Sequence, residues 1–423
     1  MTLTKRTQRN LIGALVASAC IQSAVVLADD YQDARAELIA AYQAEDYSAM
    51  QLAAQKALIA RPEYPGALFN LAMAYTLNGK HRDSLRILRR LTDKGVDFGV
   101  AEIEEFGALR DLDGWDSYRA DAEALSEAVG NAEVISTYGE SEFVPEGIAI
   151  DDDGHLILGS IRGGQLVKLA PDPEVLLERE QHWSVFGMRF HSDGGLWFAS
   201  AAVPQLANVG GDQGKTGLFR FDETAGEITK VAILPQYEPN QVLGDLVIAD
   251  DNTIYATDSL TGAVYRYYID SNEFETLVER GKLGSPQGLV LDEGGGYLYV
   301  ADYIGGLYRV STQDGSLVRL RVAASITDYG IDGLYRYGEE LIVIQNGIRP
   351  HRVVALQLSE NGLEIASSRI LASNLKAFDE PTLGVVRGDE FFFVANSHWN
   401  RFDRENQLPE GLSGPIILKL SLN

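Results

Sequence analysis

The sequence predicts a mostly β protein in which a ring of six small sheets follows a short α-helical region. One pattern of apolar runs and turns recurs six times between Glu146 and Leu420, at intervals of roughly 40 to 60 residues. The copies begin at PEGIAI, VFGMRF, LGDLVI, PQGLVL, IDGLYR and PTLGVV. That interval suits one four-stranded sheet per copy. The recurrence therefore predicts a six-bladed β-propeller over residues 131–423.

The strand assignment rests on residue types as well as on the period. Runs such as 297–300 and 391–394 are β-branched and aromatic, and Gly, Asp and Asn residues bound them. These runs predict inner strands. Segments such as 262–267 and 306–310 alternate between inward and outward residues, as third strands of a blade do. Closing the ring needs a strand from the other end of the propeller sequence, and residues 132–138 are the candidate.

Helical periodicity replaces strand alternation between residue 31 and about residue 130. Small and large apolar residues recur along one face, and a second copy of the pattern follows about 34 residues later. The two copies supply Leu38, Ala41, Ala54 and Ala57, then Leu71, Ala72, Tyr75, Gly79, Leu88 and Leu91. This pattern resembles tetratricopeptide repeats over 31–98, with a divergent helix pair over 99–128. We assign residues 29–130 to this helical domain, which either binds a protein partner or packs on the propeller.

The N-terminus has the features of a secretory signal peptide. Basic residues, among them Lys5 and Arg9, precede an apolar run at 11–27. The small residue Ala28 follows this run. We expect cleavage after Ala28 and export, most simply to the periplasm of a Gram-negative bacterium. The only cysteine, Cys20, lies inside this leader, and no later segment is long and apolar enough to insert into a membrane.

The charge of the chain excludes some partners. Its formal net charge is −25 at pH 7, so nucleic acid and anionic lipid are repelled. The sequence also lacks the G-x-S-x-G, H-E-x-x-H and C-x-x-C motifs, so common serine and zinc hydrolase chemistry has no support.

The ring geometry gathers one residue from each copy at a common axis. In a propeller, the residue just before the innermost strand of each blade faces the central channel. The six such positions are Glu146, Phe186, Gly244, Gln287, Asp332 and Leu383. Three of them offer oxygen ligands and two are carboxylates, which suits a hard divalent cation such as calcium. Without a cation, the carboxylates would repel each other and one pKa would rise.

These residues carry a resemblance to a known family. PEGIAI, SPQGLVL and GIDGLY, within residues 132–423, resemble repeats of the senescence marker protein, gluconolactonase and paraoxonase group of six-bladed propellers. Members bind a divalent metal on the axis through a Glu before Gly, one or more Asn residues and an Asp before Gly. They hydrolyse lactones or esters.

The resemblance implies a ligand set for this chain. Glu146 and Asp332 occupy the positions of the family's Glu and Asp, and Gln287 occupies one Asn position. The chain departs from the pattern at Gly244, where the family places a further Asn, and the next residue, Asp245, is a candidate substitute. The resemblance therefore implies a calcium site at Glu146, Gln287, Asp332 and Asp245.

Two function classes follow from this set. The first is a metal-dependent hydrolase of lactones or esters, in which Asp332 or a bound water supplies the attacking oxygen. His398 is then a candidate acid or base, and the alternative is a histidine of ordinary loop structure. Candidate pocket walls are Phe186, Asn346, Asn396 and Trp399. The second class is a non-catalytic propeller that binds a small ligand or a protein, with the helical repeats as the interaction module.

Two further acidic residues are expected to have a structural role. Asp258 and Asp302 recur at the same position of successive copies, in ATDSLTG and ADYIGG. A carboxylate there commonly accepts backbone N–H bonds and fixes a turn. We therefore expect both to lie outside the functional site.

Overall fold

The structure is a computed structural model. It describes residues 30–139, 142–235, 240–250, 252–323 and 325–423. The predicted signal peptide, residues 1–28, lies outside the described residues. Contacts divide the chain into two compact units. The first contains the N-terminal helices up to Glu127 together with 325–329 and 348–350, and the second contains 128–324, 330–347 and 351–423.

The first unit is α-helical, as its sequence pattern predicts. Its α-helices are α1 (Asp30–Gln43), α2 (Tyr47–Ala60), α3 (Pro65–Leu77), α4 (His81–Thr92) and α5 (Trp115–Ser126). Only one α-helix lies within the predicted divergent pair at 99–128. Two short 3₁₀ turns, Val100–Glu102 and Glu104–Leu109, take the place of the other.

The apolar face predicted from the helical period forms the core of this unit. Leu38, Ala54, Ala72 and Leu88 are at most 1% exposed. The Asp46 side chain accepts a hydrogen bond from the Ala49 amide at 2.9 Å and caps the start of α2. The likeness to tetratricopeptide repeats and the protein partner expected from it stay predictions.

The second unit contains six sheets, and all except the last consist of neighbouring segments of the chain. Blade one contains β2 (Pro145–Ile150), β3 (Leu156–Ser160), β4 (Leu166–Leu169) and β5 (Glu174–Leu177). Blade two contains β6 (Ser184–Phe190), β7 (Leu196–Ala201), β8 (Thr216–Asp222) and β9 (Glu227–Ile233). Blade three contains β10 (Leu243–Ile248), β11 (Thr253–Asp258), β12 (Ala263–Tyr268) and β13 (Glu273–Val278).

The remaining blades follow the same antiparallel order. Blade four contains β14 (Pro286–Leu291), β15 (Tyr297–Asp302), β16 (Gly306–Ser311) and β17 (Leu317–Arg319). Blade five contains β19 (Ile331–Tyr337), β20 (Glu340–Gln345), β21 (Arg352–Leu358) and β22 (Glu364–Ser373), with β18 (Arg321–Val322) parallel to β22. Blade six contains β23 (Gly384–Arg387), β24 (Glu390–Val394), β25 (Ile416–Ser421) and β1 (Glu133–Thr137).

Blade six closes the ring in the manner that the sequence predicts. Strand β1 pairs antiparallel with β25, with Glu133 opposite Lys419 and Thr137 opposite Ile416. The first and last strands of the propeller therefore share one sheet. This shared sheet confirms a six-bladed β-propeller.

The innermost strand of each of the first five blades is irregular at its axial residue. The pairing register shifts at five places, between Pro145 and Ile148, Val185 and Met188, Leu243 and Leu246, Pro286 and Leu289, and Ile331 and Leu334. Such bulges bend a strand and redirect the side chain at that point. They turn each axial residue away from the regular pleat of its sheet.

Glycine follows the axial residue because neighbouring blades approach closely there. A Cβ on Gly147 would lie under 3.0 Å from the backbone oxygen of Phe186, and one on Gly288 would lie 2.7 Å from the backbone oxygen of Asp332. Any side chain at these positions would separate the inner strands. The close approach of the inner strands thus explains the glycines after Glu146 and Gln287.

No helix within the described part of the chain has the length and apolar character needed to cross a bilayer.

Candidate active site

Two carboxylates, one from blade one and one from blade five, meet at the axis. Glu146 at the start of β2 and Asp332 at the start of β19 share one neighbour, the hydroxyl of Thr382. The Thr382 Oγ1 atom lies 2.9 Å from Glu146 Oε1 and 2.9 Å from Asp332 Oδ2. Thr382 is fully buried, and Glu146 is 8% exposed. The ring therefore brings together the two acids that the sequence predicts.

The Thr382 hydroxyl cannot satisfy both carboxylates in their ionised form. A hydroxyl carries a single proton and donates one hydrogen bond, whereas an ionised carboxylate only accepts. One of the two contacts thus requires a further positive charge or proton between the acids. A shared proton or a bound cation would supply it.

Two more donors complete the surroundings of the pair. The Trp399 indole Nε1 donates to Glu146 Oε2 at 2.6 Å, and Asn346 Nδ2 donates to Asp332 Oδ2 at 2.6 Å and to the Pro381 carbonyl at 2.9 Å. The Oδ1 atom of Asn346 is buried and has no hydrogen-bond partner among the described residues. Both residues are expected pocket walls, and the structure places both in direct contact with the acids.

Burial and like charge shift the pKa values of these acids upward. Burial, aided by the negative charge of Asp332, raises the pKa of Glu146 well above its ordinary value. Burial raises the pKa of Asp332 from 3.8 to about 6, although the hydrogen bonds from Thr382 and Asn346 act in the opposite direction. Both groups are destabilised as anions, so the site favours a ligand that brings positive charge.

Glu380 is a third acid of this region that sequence analysis missed. Burial, together with the nearby charges of Asp332 and Asp379, raises the pKa of Glu380 to about 7. Its Oε2 accepts a hydrogen bond from the Asn400 amide at 2.7 Å, and its backbone adopts a left-handed φ of 64°. No repeat pattern marks this residue, because it lies in the connection before β23.

Asp245 occupies a different environment from the acid pair. It is 1% exposed, and its Oδ2 lies 3.4 Å from Arg189 Nη2. Its Oδ1 accepts a hydrogen bond from the Leu246 amide at 2.9 Å. Burial raises the pKa of Asp245, although the charge of Arg189 acts in the opposite direction. Arg189 thus offsets part of the negative charge of Asp245.

Gln287 and Phe186 lie at their expected axial positions. Gln287 Nε2 donates to Ser285 Oγ at 3.0 Å, and its Oε1 would lie 3.8 Å from a Cβ placed on Gly244. The Phe186 ring is 6% exposed and packs at 6.3 Å from the Trp399 ring, with 31° between their planes. The amide and the aromatic wall therefore both border the axis.

Asn396 and His398 hold a loop together. Asn396 donates to Ser413 Oγ at 3.1 Å and to the Gly414 carbonyl at 3.0 Å, and its Oδ1 accepts from the Ile416 amide at 2.6 Å. His398 Nε2 lies 3.0 Å from the Ser413 carbonyl, and Nδ1 lies 3.3 Å from Asp379 Oδ2. These contacts give His398 a loop-stabilising role, and its catalytic role stays a prediction.

Thr382, which sequence analysis missed, takes the axial place expected for Leu383. Leu383 is 3% exposed and belongs to the apolar core between blades. Leu383 was the predicted axial residue because it directly precedes a glycine. In PTLGVV, however, an extra residue separates the axial position from Gly384. Proline gives the better alignment, since Thr382 follows Pro381 as Glu146 follows Pro145.

The structural role predicted for Asp258 and Asp302 is confirmed. Asp258 Oδ1 accepts hydrogen bonds from the amides of Val242, Leu260 and Thr261 at 3.1 to 3.2 Å. Asp302 Oδ1 accepts from the Ser285 amide at 2.8 Å and Oδ2 from the Gly284 amide at 2.6 Å. Each carboxylate joins the turn after one strand to the start of the blade's first strand.

Fold and site together define a six-bladed β-propeller with a buried acid pair on its axis. No family model matches the sequence, and no curated protein matches it. Solved structures do match. The PQQ-bound aldose sugar dehydrogenase from Streptomyces coelicolor is 13% identical, with a TM-score of 0.50 over 70% of this chain and 99% of that chain.

Two other solved structures have similar scores. The calcium-binding protein regucalcin from Agrobacterium tumefaciens is 16% identical, with a TM-score of 0.49 over 70% of this chain and 96% of that chain. Virginiamycin B lyase from Staphylococcus aureus is 14% identical, with a TM-score of 0.47 over 70% of this chain and 100% of that chain. At these identities the likeness concerns the fold alone.

Proposed function

We propose that the propeller is a divalent-cation-dependent hydrolase of lactones or esters. The observation that carries the proposal is the contact of Glu146 and Asp332 with the single hydroxyl of Thr382. Two buried carboxylates that have raised pKa values and share a single hydroxyl donor are poorly stabilised when both are ionised. A cation such as calcium balances their charge with the oxygen ligands it prefers. The leader-type sequence of residues 1–28 supports action after export.

The side chains at the axis can bind such a cation only if neutral oxygen atoms complete the set of ligands. Within the part of the chain that the structure describes, no three His, Cys, Asp or Glu side chains group as metal ligands. Amide oxygens would have to supply the remainder, as they often do for calcium. The Oδ1 of Asn346 is buried without a partner among these residues, and Gln287 also borders the axis. Glu146 and Asp332, with these two amides, would hold the ion.

Asp332 is the residue best suited to move a proton. A divalent cation held there would supply Lewis acidity, which would polarise an ester carbonyl and stabilise an oxyanion. Both hydrogen bonds to Asp332 from described residues go to Oδ2, which leaves Oδ1 able to accept a proton from an attacking water. In the metal-free protein, burial raises the pKa of this group to about 6, which moves it towards the best range for a general base. Phe186 and Trp399 narrow the approach of bulk water to Glu146.

Lactone turnover tests this function. The purified protein is expected to hydrolyse a member of a panel of γ- and δ-lactones in the presence of calcium. Because oxyanion stabilisation is worth a factor of about 100 or more, a chelator should reduce turnover at least that far, and added calcium should restore it. A pH-stat assay measures the acid released. Turnover unaffected by chelation, or none with any lactone or simple ester, would contradict the proposal.

Restoring an amide oxygen at position 244 should strengthen cation binding. A Cβ on Gly244 would lie 3.8 Å from Gln287 Oε1 and from Ser259 Oγ, an ordinary contact distance. The first carbon of a side chain therefore fits at this position. Gly244→Asn adds an oxygen ligand, and we expect calcium affinity to rise about tenfold. The control Gly244→Leu fills a similar volume without the oxygen. Equal affinities of the two variants, measured by calorimetry, would show that position 244 does not face the ion.

A further inference from the structure

The connection between β24 and β25 reaches far from its own blade. We call residues 395–415 the axial strap. Its two ends are tied together by Asn396, whose side chain bonds Ser413, Gly414 and Ile416. Between these ends, Trp399, Phe402 and Leu408 pack on a core cluster from blades one to three, which are not adjacent to β24 in sequence. Arg162 Nη1 also donates to the Asn406 carbonyl at 3.0 Å.

Trp399 is the part of the axial strap that reaches the acid pair. Its Nε1 lies 2.6 Å from Glu146 Oε2, and its ring packs against Phe186 on one side and Phe402 on another, at 6.3 and 6.2 Å. The indole N–H therefore covers one oxygen of an acid that a cation would bind. A hydrogen-bond donor withdraws negative charge from a carboxylate and directs its own partial positive charge at any cation there.

We propose that Trp399 sets the affinity of the axial site by competing with the cation for Glu146. The inference rests on the proposed function, since it concerns the same site. Binding of the ion weakens or breaks the indole hydrogen bond, and the axial strap then holds Trp399 against Phe186 by ring packing alone. In the opposite role, the indole would hold Glu146 in the orientation that binds the ion. Removing the N–H would then weaken binding of the ion.

The decisive variant is Trp399→Phe, which keeps an aromatic ring and removes the donor. Because a hydrogen bond to a charged group is worth about a factor of ten or more, we expect calcium to bind about tenfold more tightly to this variant. Loss of packing alone would weaken binding. Trp183→Phe is the matched control, since Trp183 Nε1 also donates to a carboxylate, Asp212 Oδ2 at 3.2 Å, outside the acid pair. Its affinity should equal that of wild type.

Titration calorimetry with calcium alone measures these affinities. Equal or weaker binding by Trp399→Phe, with wild type binding calcium, overturns the role of Trp399 and leaves the proposed function intact. An absence of calcium binding in wild type and variants overturns both. Tryptophan fluorescence gives a second reading that needs no Trp399 variant: calcium should change the emission of wild type and of Trp183→Phe alike. An unchanged emission in both, while calorimetry detects binding, would also overturn the proposal.

Discussion

The metal-free protein is expected to lose stability as the pH rises from about 4 to about 6, and Asp332→Asn should remove much of that loss. In the unfolded chain the carboxyl has its ordinary pKa of 3.8, whereas burial raises the folded value to about 6. Between these values the folded state holds more protons than the unfolded state, so the free energy of unfolding falls with rising pH. Above about 6 Asp332 is ionised in both states, and its contribution to the loss is complete.

The size of this effect follows from the shift in pKa. Each pKa unit corresponds to about 1.4 kcal/mol, so Asp332 contributes a loss of up to about 3 kcal/mol. An asparagine cannot ionise and should therefore be the more stable residue at pH 7 in the presence of a chelator. Unfolding by denaturant at several pH values measures the difference between the proteins. Asp153→Asn, in an exposed turn, is the control and should follow wild type; parallel curves for wild type and Asp332→Asn would contradict the assignment.

Calcium should stabilise wild type strongly and Glu146→Gln hardly at all. A ligand at 100 times its dissociation constant stabilises the folded state by about 2.7 kcal/mol, which raises the thermal midpoint by several degrees. The glutamine removes one of the two charges of the acid pair while keeping nearly the same shape. We therefore expect the calcium-dependent shift in thermal midpoint to disappear in this variant.

Asp245→Asn provides the informative comparison for Glu146→Gln. The family resemblance makes Asp245 a candidate substitute ligand, but in the structure it pairs with Arg189. If that pairing decides its role, Asp245→Asn should still show the calcium-dependent shift. Loss of the shift in Asp245→Asn, with the shift retained in Glu146→Gln, would move the cation site to blade three.

The acid pair could be predicted from the sequence because ring closure imposes a local rule. Where neighbouring inner strands approach closely, glycine follows the axial residue, and this rule marks Glu146 and Asp332 even though they lie far apart in the chain. The same rule failed at Thr382, because blade six has one additional residue before its glycine. A sequence repeat identifies equivalent positions only where the local backbone geometry also repeats.

The loop contacts could not be predicted in the same way. Trp399 was expected near the pocket, but its hydrogen bond to Glu146 depends on the path of the axial strap across the first three blades. The connection lacks the repeat, and the contact joins residues 253 positions apart. Likewise, the charge balance of Asp245 depends on Arg189, a residue of the preceding blade that no motif marks. Such pairings are set by tertiary packing.

Calorimetric titration of the metal-free protein with calcium tests the central claim most directly, because it measures whether the acid pair on the axis holds a cation. The account predicts one ion per chain for wild type, with binding weakened at least 100-fold in both Glu146→Gln and Asp332→Asn. Wild-type binding that neither substitution weakens, or no binding at all, would contradict it.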